Sequence, residues 1–261
     1  MLIKPINDIR NPRHILDDDT DDTTPHPIPT VSIDLQTSSI GNIVVIPKTI
    51  SILQDELSSL TQVGTVKIEY PELVQTTSEE SQLDYDEDEQ LYSAIRQREL
   101  DTKYPTAQIP IYSISNGNVV LTVPHFYNTI AYNVLARQLV KVGNPKQWIL
   151  LSPCSMNNNQ TIAILESNPL LEVIPVLTPP HTVTGISAAI ISQLPPSAKL
   201  IPLVLNSEGQ PGFEKSDNDA IIDICVILGE VLQIEDKEDY LKRVSSKVRK
   251  FNGYSNLGMY I

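Results

Sequence analysis

The sequence predicts an α/β fold, a three-layer sandwich around a mainly parallel mixed sheet. Apolar strand-like runs alternate with amphipathic helical segments through the second half of the chain, the pattern of layered α/β domains. WILLS (Trp148–Ser152) and KLIPLVL (Lys199–Leu205) are continuously apolar rather than alternating, as strands covered on both faces are. The chain of 261 residues is also long enough for one large domain.

Taken in order, residues 1–30 read as an extended arm. MLIKPINDIRNPRHILD is interrupted by Pro5, Pro12 and charges where a secretory signal needs an apolar centre. LDDDTDD (Leu16–Asp22) carries five Asp, and Pro25, Pro27 and Pro29 mark an extended linker behind it. A single domain spans 31–251, with its first strands at Ile43–Ile46 and Thr65–Tyr70. An acidic loop follows at 71–105. Within it, Pro71–Gln90 holds eight acids and no base, repels itself and has too few apolar residues for a core, so it reads as a disordered insertion. Ile109–Ile114 and Val119–Val123 form a hairpin turning at Asn116-Gly117-Asn118.

The helix Phe126–Val142 puts Phe126, Tyr127, Ile130, Ala131 and Val134 on its apolar face and ends in Lys141 and Gly143. Strands at Trp148–Ser152, Thr161–Leu165 and Glu172–Leu177 precede a helix, Val183–Leu194, stopped by Pro195-Pro196. After the strand Lys199–Leu205, the helix Asp217–Leu232 opens with a capping box in which Ser216 caps and Asp219 reaches back. That helix is apolar nearly all round, which predicts burial. Lys237–Lys250 aligns Tyr240, Leu241, Val244, Val248 and Phe251, with acids early and bases late as the helix dipole prefers. Residues 252–261 read as a flexible tail, with Gly253 and Gly258 in its tether.

Composition narrows the function. A net charge of −13 argues against binding a phosphate backbone, which needs clustered Lys and Arg. Apolar runs stay far below the roughly 20 residues of a membrane helix, so neither nucleic acid nor membrane is an expected partner. The expected location is the cytoplasm, with the nucleus also open. Cys154 and Cys225 are too few for a disulfide framework or zinc site, and Cys225, inside DICVILG, reads as a small core hydrophobe. No G-x-S-x-G, P-loop, G-x-G-x-x-G or H-E-x-x-H occurs, and His14, His26, His125 and His181 stand alone. No cofactor or metal is implied.

Two stretches invite a chemical role. The loop Ser207–Lys215 (SEGQPGFEK) follows a strand, where open α/β sheets place active sites, and Glu208, Glu214 and Lys215 could act as acid, base or anion clamp. The favoured reading is a Gly/Pro turn that Phe213 pins to the core, since Gly and Pro there already have a turn role. Thr182-Val-Thr184-Gly185 could hold an anion or simply cap the following helix.

The chain ends LGMYI, an apolar tip on a Gly-, Ser- and Asn-containing stretch. Such a tip offers a terminal carboxylate, a rigid aromatic bearing a hydroxyl, and an adaptable thioether. MLIKPINDIRNPRHILD, SEGQPGFEK, the helix bearing DICVILG and the terminal LGMYI together resemble the proteasome assembly chaperone 1 family, the first subunit of a heterodimer. The resemblance implies a non-catalytic protein with a nucleoside-phosphorylase-like α/β fold that pairs with a sister subunit, assembly chaperone 2. It implies docking on the outer face of the proteasome α ring, promotion of ring assembly and obstruction of premature regulatory-particle docking. The family's hydrophobic–Tyr–any (HbYX) tail, which enters a pocket between α subunits and meets a pocket lysine, falls here on Met259, Tyr260 and Ile261. A nucleoside-directed or related hydrolytic enzyme using loop 207–215 is the alternative from another class. A tail packed as an edge strand on its own domain is a third.

Overall fold

IVVI, in strand β2 (Asn42–Pro47), turns Ile43 and Val45 to one face of a sheet and Val44 and Ile46 to the other, and all four are buried. WILL repeats the arrangement in β6 (Gln147–Cys154): Trp148 and Leu150 face one way, Ile149 and Leu151 the other. Both runs are apolar throughout because both faces of the sheet are covered.

The computed structural model describes residues 27–36, 40–73, 95, 98–114, 117–142, 145–156, 160–166, 168–169 and 171–257, with 251–257 as backbone only. The remaining strands are β1 (Thr30–Leu35), β3 (Thr61–Glu69), β4 (Ala107–Ser113), β5 (Val119–Val123), β7 (Ile162–Ile164), β8 (Leu200–Glu208) and β9 (Lys215–Ser216). Helices are α1 (Ile52–Asp55), α2 (Thr129–Val142), α3 (Gly185–Gln193), α4 (Asn218–Val231) and α5 (Lys237–Leu257). The sheet runs β1-β3-β4-β5-β2-β6-β8-β7, with β9 paired to β8 off that path. Its centre, β5-β2-β6-β8, is parallel. Antiparallel strands extend it on both sides.

Helices α2 and α3 cover one face through residues such as Leu135 and Ile190, while α1, α4 and α5 cover the other through Leu53, Ile224, Leu228 and Val244. The three-layer α/β sandwich and its mixed sheet are therefore as the sequence predicts. Cys225 is buried in the second layer. Among the described residues no helix is long and apolar enough to cross a membrane.

Several local expectations are corrected. Helix α2 starts at Thr129, where Asn128 Oδ1 accepts the Ile130 N–H at 2.9 Å, and its buried stripe is Ala131, Leu135, Leu139. Phe126 is buried ahead of the helix, and Tyr127 and Ile130 face outward. Ser216 does not cap α4. It lies in β9 with its hydroxyl 2.8 Å from that of Ser207, and Asp217 occupies the N-cap position without a side-chain cap bond. Instead, Asn206 Nδ2 donates to Asp217 Oδ2 at 2.6 Å. Val226 leaves one side of α4 open, so burial there is not all round. Glu172–Leu177 contributes a single bridge, Val176 to Ile164, and β1 was not foreseen because only Val31 in TVSIDL is buried.

The acidic stretch is closed at its root. Tyr70 and Tyr104 are both buried, with ring centroids 5.5 Å apart, and 98–103 is helical. The acids at 74–94 lie outside the described residues. The two rings thus join the ends of the stretch through apolar contact.

Helix α5 is held by polar as well as apolar contacts. The Tyr240 hydroxyl donates to the Leu53 carbonyl at 2.7 Å, Arg243 donates to the Glu56 carbonyl, and the Lys247 ammonium pairs with the Glu56 carboxylate. Tyr240→Phe orphans a buried carbonyl and is expected to lower stability by about 1–2 kcal/mol in urea titrations. Burial also pushes the Cys225 thiol from 9.0 up to about 11 and raises the adjacent Tyr240 phenol further. Both groups ionise more readily in the unfolded chain. Their stability contribution is complete below pH 9 and declines as pH rises through 9–11, continuing above as Tyr240 titrates. Cys225→Ala should flatten the first part of that decline.

Candidate functional site

Pro47, Val123 and Pro153, at the carboxyl ends of the parallel strands β2, β5 and β6, line a cleft of about 710 Å³. Open α/β sheets place ligand crevices at this end. Helices α2 and α3 contribute Tyr132 and Ala189, and the β8–β9 loop contributes Pro211, Gly212 and Glu214. The lining is mainly apolar.

Its polar centre is a pair that the sequence leaves far from any partner. The Tyr132 hydroxyl accepts the Phe126 N–H at 2.9 Å and lies 3.1 Å from His125 Nδ1. Burial raises the Tyr132 phenol above its ordinary value, with the negative Glu214 adding to the shift and the Phe126 N–H opposing it. Between the Tyr132 hydroxyl and His125 Nδ1 either group can donate, according to the imidazole tautomer.

The β8–β9 loop is seated by Gly212. Its φ is +87°, and a Cβ there would stand 2.1 Å from His125 Cγ, so no larger residue fits as the loop is built. Phe213, expected to pin this loop to the core, is 78% exposed. Its ring is 6.0 Å from that of His125, at the outer side of the turn. The backbone reason is that β9 returns the chain antiparallel to β8, leaving 209–214 as a tight hairpin connection.

The sequence-derived catalytic trio does not converge. Glu208 and Lys215 face each other as cross-strand partners of β8 and β9, while Glu214 alone lines the cleft. Thr184 precedes α3 without making a side-chain cap bond. No three His, Cys, Asp or Glu side chains among the described residues group as a metal site. His125 and Tyr132 were missed as a pair, although their spacing across a helix start is a faint signal. Nothing in the sequence could have brought Gly212 to them.

The terminal candidates lie elsewhere. Gly258, Met259, Tyr260 and Ile261 are outside the described residues. Gly253 lies in the backbone of α5, which continues past Lys250 to Leu257, where a loose tether was expected from 252.

The family described as POC1 chaperone matches residues 1–261. Among solved structures, PbaA of Pyrococcus furiosus, described as an archaeal homolog of proteasome-assembly chaperone, is similar at 14% identity and a TM-score of 0.50, covering 85% of this chain and 96% of that one. A protein of unknown function from Mycobacterium tuberculosis is similar at 10% identity and a TM-score of 0.50, covering 88% of this chain and 85% of that one. At these identities the similarity is one of fold. No curated protein matches.

Proposed function

The chain belongs to the POC1 chaperone family over its whole length, and from that premise we propose that it is a non-catalytic chaperone of proteasome core-particle assembly. The observation that carries the reading is the full-length family match, and the PbaA-like fold is consistent with it. In this reading the protein pairs with a sister chaperone subunit, docks on the α ring through Met259, Tyr260 and Ile261, promotes ring assembly and keeps regulatory particles off the same surface.

The physical logic is that of a short plug. A terminal carboxylate cannot be imitated by an internal loop, so a lysine-lined pocket that receives it selects chain ends. One short tail gives only modest affinity once its ordering cost is met. Two tails on one heterodimer, entering two pockets, gain roughly 10²–10⁴ in avidity. Modest individual contacts also permit release when the ring matures. The backbone of α5 extends nine residues past Val248, its last described buried residue, or about 13 Å at helical rise, and would carry the tip away from the core.

The enzymatic alternative is weaker, because Glu208 and Lys215 sit opposite each other in β8 and β9 and of the three only Glu214 lines the cleft. Affinity purification of the full chain from cells tests the proposal. Recovery of α-ring subunits together with a second small α/β protein is the expected outcome. Recovery of neither would refute it.

A further inference from the structure

Helix α5 carries its bases where the helix dipole has no use for them. From Tyr240 to Ile261 the chain holds five of its 19 bases, Lys242, Arg243, Lys247, Arg249 and Lys250, and none of its 32 acids. A helix dipole favours cations only around the last turn. The helix runs on to Leu257, seven residues past Lys250, and its last turn contains no base. The dipole therefore does not account for these residues, and solubility does not call for them in a chain of net charge −13.

Packing divides the five. Tyr240, Val244 and Val248, four residues apart, form the buried stripe of the helix. Arg243 and Lys247 are engaged at the end of α1, on the carbonyl and the carboxylate of Glu56. Lys242 makes one exposed contact, to Asp239 at 3.3 Å. Arg249 and Lys250 are exposed and make no hydrogen bond or ion pair with any described residue. At 3.6 residues per turn, Lys242, Arg249 and Lys250 share the side of α5 that faces away from the buried stripe.

A face of this kind selects an anionic partner. Nucleic acid is disfavoured, because the 32 acids elsewhere on the chain repel a polyanion at long range. A lipid surface needs an apolar side to bury, and that of α5 is already packed in the core. An acidic patch on a protein meets neither objection. We infer that Lys242, Arg249 and Lys250 dock on an acidic patch of the α ring beside the pocket that receives the tail. The inference rests on the α-ring docking proposed above and adds to it a second contact of different chemistry. Lys250 stands about 10 Å along the helix from Leu257, and four residues follow, so a surface that grips residues 259–261 is within reach of both. Charges at the rim of an interface act chiefly on encounter and orientation, whereas a buried plug governs escape.

Surface plasmon resonance of the full chain on assembled α rings tests this division. Arg249→Glu/Lys250→Glu is expected to lower the association rate about tenfold at about 50 mM salt and to leave dissociation within about twofold. The difference should vanish near 0.5 M salt, where the screening length is only about 4 Å. Arg249→Gln/Lys250→Gln should fall between the two. Glu and Gln are good helix formers and both sites are exposed, so the thermal midpoint should hold. A lowered midpoint would instead make the two cations part of the fold, against the inference. Tyr260→Ala should raise the dissociation rate rather than lower association. An unchanged association rate in the charge-reversed chain, with the Tyr260 variant still defective, would overturn the inference and leave α-ring docking standing. Failure of the wild-type chain to bind the rings would remove both. Binding to phosphatidylserine vesicles or duplex DNA that is lost on charge reversal would assign the face to another anion and also defeat the inference.

Discussion

Tyr260→Ala is expected to weaken capture of α-ring subunits by about 30-fold in the single chain, the equivalent of the roughly 2 kcal/mol typical of a truncated hot-spot aromatic. The ring supplies most of the buried area of the proposed plug and keeps a hydroxyl for a polar partner at the pocket wall. In the heterodimer the loss should be larger, because removing one of two anchors also removes the bivalent gain, on the order of 10²-fold. Deleting Ile261 moves the terminal carboxylate back by one residue and should reproduce much of the defect. Neither change touches the described core, which ends on α5 at Val248, so the thermal midpoint should stay where it is. Surface plasmon resonance on assembled α rings, read beside a melting curve, separates binding from folding. Equal capture by wild type and the Tyr260 variant would remove the tail from the mechanism while leaving the family assignment intact.

Gly212→Ala is expected to lower stability by about 2–3 kcal/mol, a large effect for adding one methyl group. Two causes act together. The backbone sits at φ +87°, where a Cβ costs of the order of 1–2 kcal/mol. The new methyl would also stand 2.1 Å from His125 Cγ, so the imidazole must leave its place beside Tyr132. A double-mutant cycle divides the two. His125→Ala alone should cost little, since His125 is exposed. Combined with Gly212→Ala, it should restore about half the loss by removing the steric part and leaving the backbone part. If Gly212→Ala cost less than about 0.5 kcal/mol, the loop would be relaxing freely and His125 would not be what holds it.

The layered fold was legible because its strongest signals are local. IVVI, WILLS and KLIPLVL declare strands covered on both faces, and Pro195-Pro196 marks where α3 must already have ended. The phase of α2 was misread because Phe126, Tyr127 and Ile130 are apolar by type. The Asn128 cap and the Phe126–Tyr132 bond rotate the buried stripe onto Ala131, Leu135 and Leu139, and such bonds have no periodicity to read. Ser216 failed as a cap because β9 claims it for a partner, Ser207, nine residues earlier. The cleft was invisible for a related reason. Its parts lie at strand ends and in a hairpin connection scattered from Pro47 to Glu214, and only the sheet order brings them together. The family resemblance, by contrast, rested on four separated segments, and the full-length family match agrees with it at the level of the chaperone family.

The Tyr70–Tyr104 ring pair has a consequence for how this part of the molecule tolerates change. The two strands on either side, β3 and β4, are already registered and joined by that aromatic clasp, so the connection between them is closed at its root whatever its length. Doubling such a span adds only about 0.6 kcal/mol of closure entropy. Acids can therefore accumulate, shrink or be rearranged there while the sheet keeps its alignment, which leaves charge density as a property that can drift independently of architecture.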